Sequence, residues 1–232
     1  GMSPTHLSFA LEAPSYPGFA KHPLVGWISG VHLDRLGKLT PKVFDGTTGK
    51  SYEDAAVVLH VGLPAGKVAD LGILNIFEPG DGAPIRFPST GFSAREAIVG
   101  DEKLNFAEYV GEHDIDTRMP LVANYAGAMI NTSFQQVDKE KGDVTFYAPV
   151  FKGMEYRLAR PVEDYVSRFT ERLPKDLGGE VVFSCNCILN YLHSELEGKK
   201  TGSFVGPVTF GEIAYQLVNQ TLAYLVVMDT AT

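Results

Sequence analysis

Apolar and polar positions alternate most regularly from Leu121 onward. Leu121–Tyr125, Ala128–Val137, Asp143–Val150 and Glu155–Ala159 each read as a strand. The polar turns Asp138-Lys139-Glu140-Lys141-Gly142 and Lys152-Gly153 join them into a β-meander. The period then changes. Val162, Tyr165, Val166, Phe169 and Leu173 share one helical face, Pro161 suits the first turn, and Pro174 with Gly178-Gly179 ends it. Val181–Cys185 reads as a buried strand, Ile188–Leu196 as a helix closed by Gly198, and Lys199–Gly202 as a polar loop. Phe204–Phe210 and Thr221–Met228 read as two further strands.

The first half of the chain is less regular. Residues 1–21, with Pro4, Pro14 and Pro17, read as an irregular arm. Leu24–Leu33 fits a first strand, and Asp45-Gly46 marks a turn. Ser51 ahead of Tyr52, Glu53 and Asp54 has the form of an N-cap with an acidic first turn, so the apolar Ala55–Val61 is expected to be a short helix closed by Gly62 and Pro64. Gly72–Phe77 reads as a strand, with Ile85–Phe87 as its hairpin partner across Pro79-Gly80-Asp81-Gly82. Phe92–Glu108 fits helix or strand, because Gly100 interrupts the helix that Ser93 would cap. Tyr109–Met119 reads as a surface loop. These elements predict a single α/β (α+β) domain over residues 22–232, with a mixed, largely antiparallel sheet and helices packed on it.

Composition narrows the function classes. Among 232 residues, 44% are hydrophobic and 21% charged, enough to bury a sizeable core. Twenty Lys and Arg against 28 Asp and Glu give a net charge of −8 with no basic run, which argues against nucleic acid as a partner. Gly1 ahead of Met2 reads as an expression scar, and residues 3–20 lack the basic and apolar regions of a signal peptide. The longest apolar runs, Ala55–Leu59 and Tyr224–Met228, fall far short of the ~20 residues of a membrane helix. Cys185 and Cys187 are separated by one residue, so a disulfide between them would be strained, and a reducing, cytoplasmic setting is expected.

Candidate chemistry concentrates in the last quarter. In Phe183-Ser184-Cys185-Asn186-Cys187 a strand runs into a helix, where backbone N–H groups favour anions such as carboxylates. Cys185 is there either a nucleophile activated by the helix end or, like Cys187, a small buried hydrophobe. Cys-x-Cys with His193 and His60 offers soft metal ligands but lacks a second cysteine pair, and no metal or cofactor is expected. Gly211-Glu212 places a carboxylate directly after an apolar strand, either for a ligand amine or for neighbouring amides. Asn219-Gln220 fits a turn or a polar wall. No Walker, GxGxxG, GxSxG or HExxH motif occurs, and no catalytic constellation is expected.

Val182-Phe183-Ser184-Cys185, Glu195 and Glu197, Phe204-Val205-Gly206, Phe210-Gly211-Glu212-Ile213 and Asn219-Gln220-Thr221-Leu222 follow in an order and spacing that resemble the C-terminal domain of the FIST sensory family. Gly142-Asp143-Val144 and Phe151-Lys152-Gly153 before Tyr156-Arg157-Leu158-Ala159 extend the likeness over about residues 122–228. Family members commonly carry an Arg after the Ser-Cys pair, where this chain has Asn186, Cys187 and Ile188. The resemblance implies an intracellular sensory module that binds a small ligand, an amino acid or small carboxylate, and signals through a separate partner protein. Cys185, Asn186, Cys187, Gly211 and Glu212 would form the ligand site. Two other classes stay open: a thiol-dependent hydrolase or transferase using Cys185, and a purely structural or interaction module.

Overall fold

The computed structural model describes residues 2–19, 21–35, 37–125, 127–193, 196–199 and 201–230. Four α-helices and 18 strands are present among them, in mixed and largely antiparallel sheets. The expected α+β class is therefore observed, in one domain. Glu195, which belongs to the FIST-like pattern, lies outside the described residues.

The six-stranded sheet runs Ala128–Thr132, Leu121–Tyr125, Glu155–Leu158, Ile85–Arg86, Glu96–Val99, Glu102–Asn105 in spatial order. Alternation decides how it packs. Leu121 and Ala123 join a core cluster around Phe87, whereas Val122 joins a second cluster with Leu74, Phe169 and Leu222. Phe87 lies edge-on to Phe106, Phe146 and Tyr156, with ring centroids 5.3, 5.8 and 5.5 Å away. These are favourable aromatic geometries at the centre of the first cluster. The three-stranded sheet Phe134–Asp138, Asp143–Val150, Gly91–Ala94 contributes Val144, Phe146 and Val150 to the same cluster.

Two helices pack as their sequences dictate. Tyr165–Arg172 buries Tyr165 and Phe169, four residues apart, and is capped by Asp164, whose carboxylate accepts from the Ser167 amide at 3.0 Å. Phe106–Glu112 is capped by Asn105, which accepts from the Glu108 amide at 3.0 Å and donates to the Gly142 carbonyl at 3.1 Å.

Several local expectations are overturned. Residues 4–12 are not irregular: Pro4–Glu12 is a helix, because Ser3 caps it through the His6 amide and Pro4 occupies its first turn. It docks through Ala10 and the adjoining Ala13, and the Gln216 amide donates to the Ala10 carbonyl. The helix expected at Ala55–Val61 does not form. Ser51 sits inside the strand Lys50–Tyr52, and residues 55–63 are extended without regular structure, since no neighbouring surface meets their apolar side chains. Ile85–Arg86 does not return on Gly72–Phe77. It pairs with Glu96–Val99 and Glu155–Leu158, while Lys67–Leu74 pairs along its full length with Leu222–Asp229. The ambiguous stretch resolves into the strands Gly91–Ala94, Glu96–Val99 and Glu102–Asn105 and the start of the helix Phe106–Glu112, which takes in the first four residues of the expected loop Tyr109–Met119.

Candidate functional site

The strand Glu180–Cys187 carries the candidate residues. It lies between Leu222–Asp229, antiparallel, and Val208–Thr209, parallel, in the four-stranded sheet that Lys67–Leu74 completes. It runs two residues beyond the expected end because Asn186 and Cys187 pair with Val208 and Thr209. The Asn186 amide donates to the Pro207 carbonyl at 3.0 Å. Gly206 makes that close passage possible: a Cβ there would lie 1.7 Å from the Ser184 carbonyl oxygen, so only glycine fits the FIST-like Phe204-Val205-Gly206 segment.

Alternation puts Cys185 and Cys187 on one face of the strand and Ser184 and Asn186 on the other. Both cysteines are free and fully buried. The Thr209 hydroxyl donates to the Gly211 carbonyl at 2.9 Å, so at 3.2 Å from Cys185 Sγ it accepts the thiol proton. Burial pushes the Cys185 thiol up to about 12. Cys187 is raised as well, by burial and the nearby Glu212, although the Gln220 and Leu189 amides point at its sulfur. The helix Ile188–His193 is only six residues long, and the amide of its second residue, Leu189, is directed at the Cys187 sulfur. Both thiols are thus neutral at physiological pH, and a neutral thiol is a poor nucleophile.

Glu212 opens the strand Glu212–Ala214, which joins Val25–Trp27 and Gln216–Val218 in a small sheet. Gly211 before it has φ +142, and a Cβ there would press on Ile28 at 2.8 Å, which explains the glycine. The Glu212 side chain is fully buried. Thr221 Oγ1 donates to its Oε1 at 2.7 Å, while Oε2 meets no hydrogen-bond partner among the described residues. Burial raises this carboxyl well above the ordinary glutamate value, against the smaller opposing effects of Thr221 and the adjacent Cys187 thiol. The fold therefore favours the neutral form of Glu212 over the charged one.

Polar residues that no motif announced surround this core. Asn190 donates to Asn186 Oδ1 and to the Thr221 carbonyl, both at 3.0 Å, and accepts from the Tyr165 hydroxyl. Asn131 and Asn75 exchange side-chain hydrogen bonds of 2.9 and 3.1 Å. Gln220, with φ 53, turns the chain into Leu222–Asp229, and its Nε2 donates to the Arg118 carbonyl. Asn219 and Gln220 are both turn and wall. Ser133 Oγ stands 2.9 Å from Asn219 Oδ1 and 2.6 Å from Gln220 Oε1. With one proton to give, it donates to one of the two. The signals for these residues were faint: Asn190 is four residues after Asn186, and Asn131-Thr132-Ser133 is a polar break inside an apolar stretch.

The structure brings Cys185, Cys187, Gly211 and Glu212 together with Thr209 and Thr221, and places Asn186 on the opposite face with Asn190. It does not bring His60 or His193 to them. No group of three or more His, Cys, Asp or Glu side chains suited to a metal occurs among the described residues. A surface cleft lined by Glu102, Asn105, Glu108, Glu112 and His113 contains none of these residues, nor does a narrow apolar slot bounded by Ala10, Tyr125, Ile130 and Leu217. No helix of the described residues is long and apolar enough to cross a membrane.

No curated protein and no solved structure matches the chain. Nothing in the comparisons links it to the FIST family. The sequence profile of a family of unknown function, DUF6976, matches residues 1–228. The chain belongs to the DUF6976 family.

Proposed function

We propose that this chain is a small-ligand-binding sensory module, acting in the cytoplasm through a separate signalling partner, as the FIST likeness implies. One observation carries the reading: the buried Glu212 carboxyl has an oxygen with no partner. A polar atom left unpaired in a protein interior costs about 1–3 kcal/mol and calls for a ligand or ordered water to complete it. An amino acid suits the position. Its ammonium group would donate to Oε2 and draw Glu212 into the charged form. A small carboxylate would instead accept from the neutral acid. Two free, buried thiols fit a reducing compartment.

The test is a thermal-shift and calorimetric screen of the full chain with amino acids and small carboxylates. A ligand at a hundred times its Kd stabilises the fold by about 2.7 kcal/mol. Binding of an amine releases one proton from Glu212, so the measured enthalpy changes with the ionisation enthalpy of the buffer. Glu212→Gln abolishes that dependence. The reading fails if no compound raises the wild-type Tm. A ligand-free interaction module is the second reading, favoured by the absence of Cys185, Cys187 and Glu212 from either cleft described above.

A further inference from the structure

Among the described residues, none between Ala13 and Leu74 is buried, and residues 46–68 are all exposed. Within that span Ala55–Leu63 is the most apolar stretch. Val57, Val58, Leu59, Val61 and Leu63 are 50, 60, 83, 71 and 40% exposed. No Asp, Glu, Lys or Arg occurs between Asp54 and Lys67, in a chain of net charge −8. No backbone hydrogen bond joins residues 55–63 to any described residue. Hydrogen bonds flank the stretch at its two ends, where Thr5 bonds Asp54 and Thr230 bonds the Gly66 carbonyl. The neighbouring hairpin, Val43–Asp45 with Lys50–Tyr52, is an isolated two-stranded sheet that exposes Phe44 and Tyr52. Such a hairpin is marginal alone.

An uncharged, β-branched, extended segment with free amides and carbonyls is a template for strand pairing. It does not suit a lipid surface, because its unpaired backbone groups would be costly in hydrocarbon. What it lacks is a strand edge. The chain provides one at the root of the same arm: Lys67–Leu74 is eight residues long and terminates the four-stranded sheet, with no strand on its outer side among the described residues. That edge exposes Val68 and Ile73, apolar groups that match the segment, beside the charged Lys67 and Asp70; the Asp70 carboxylate accepts from the Leu71 amide at 3.0 Å, a bond that an added strand displaces.

We propose that two copies of this chain exchange arms, residues 55–63 of each adding as a fifth strand to the Lys67–Leu74 edge of the other. A two-fold arrangement satisfies both open edges and both free segments at once, and closes. Each contact would cover apolar side chains on both faces of the added strand, Val68 meeting it on one face of the sheet and Ile73 on the other, and the two-fold pairing makes two such contacts. This pairing is independent of the Glu212 site.

The test is light scattering and native mass spectrometry of the full chain across micromolar concentrations, with hydrogen exchange on the same samples. The wild type is expected to be a dimer with protected amides in residues 55–63. Leu59→Lys is expected to give a monomer. Of Val58→Pro and Leu59→Pro, at least one is expected to do the same, because two consecutive N–H groups point to opposite sides and one must face the partner strand. Neither proline touches a backbone bond of the single chain, so the monomeric variants should keep the far-ultraviolet spectrum. A monomeric wild type overturns the proposal, even with residues 55–63 protected, since the arm would then fold back on its own edge. A dimer that persists unchanged in all three variants overturns it as well.

Discussion

Glu212 shows how much a single side chain depends on its surroundings. In the unfolded chain it is an ordinary carboxylate; in the fold its proton is held to a pH well above that. The folded state therefore binds the proton more tightly, and its contribution to stability is full below the unfolded value near pH 4.5. Stability is lost as the pH rises toward the folded value, by up to about 1.4 kcal/mol per pH unit. Glu212→Gln keeps the shape and cannot ionise. Urea denaturation at several pH values should show Glu212→Gln and wild type close together near pH 4.5, with the variant increasingly more stable toward pH 8. A gap that is constant with pH would mean that Glu212 is charged inside the protein. The two cysteines show the same dependence: the motif that suggested a reactive thiol puts both sulfurs in an environment that keeps them protonated.

Among the elements, the helix Pro4–Glu12 depends on one buried histidine. His6 lies edge-on to Phe92 at 4.9 Å, its Nδ1 accepts from the Met2 amide at 2.8 Å, and burial lowers its pKa to about 4. The undocked imidazole takes a proton near 6.5, whereas the docked one resists until about 4. Docking stability is thus complete above pH 6.5 and falls as the pH drops toward 4, by at most roughly 3 kcal/mol. Hydrogen exchange of residues 4–12, corrected for intrinsic rates, should show local opening that grows between pH 6.5 and 4. His6→Gln should remove that pH dependence. Uniform protection across the range in the wild type would contradict the burial of a neutral imidazole. The segment 55–63 is the opposite case. Its acidic first turn and apolar run have the local marks of a helix, but no surface among the described residues buries its apolar side chains, and short helices without packing are unstable in water.

Over the whole molecule, the strand Leu121–Tyr125 ties the two main core clusters together, since Leu121 and Ala123 face one and Val122 the other. Damage to either cluster is then felt by both. Phe87→Ala removes the ring that Phe106, Phe146 and Tyr156 surround and should cost about 3–5 kcal/mol in denaturant. Near- and far-ultraviolet circular dichroism should still report one coincident transition. Two separated transitions would mean that the clusters unfold independently.

The sequence by itself determined those elements whose pattern is local: the alternating strands over 121–125, 143–150 and 155–158, the 3.6-residue face of Tyr165–Arg172, and the strands Glu180–Cys187 and Leu222–Asp229. Each follows from side-chain periodicity, which any short window reveals. It also singled out Cys185, Cys187, Gly211 and Glu212, because a carboxylate and two thiols are conspicuous against apolar neighbours. Only the tertiary structure decided which strands pair. Lys67–Leu74 lies beside Leu222–Asp229, which follows it far along the chain, a choice that rests on the burial of whole faces and not on turn chemistry. It also decided that Thr209, Thr221 and Asn190 complete the polar cluster. Polar residues of that kind look like ordinary surface until the fold encloses them, and enclosure is what shifts Glu212 toward its protonated form.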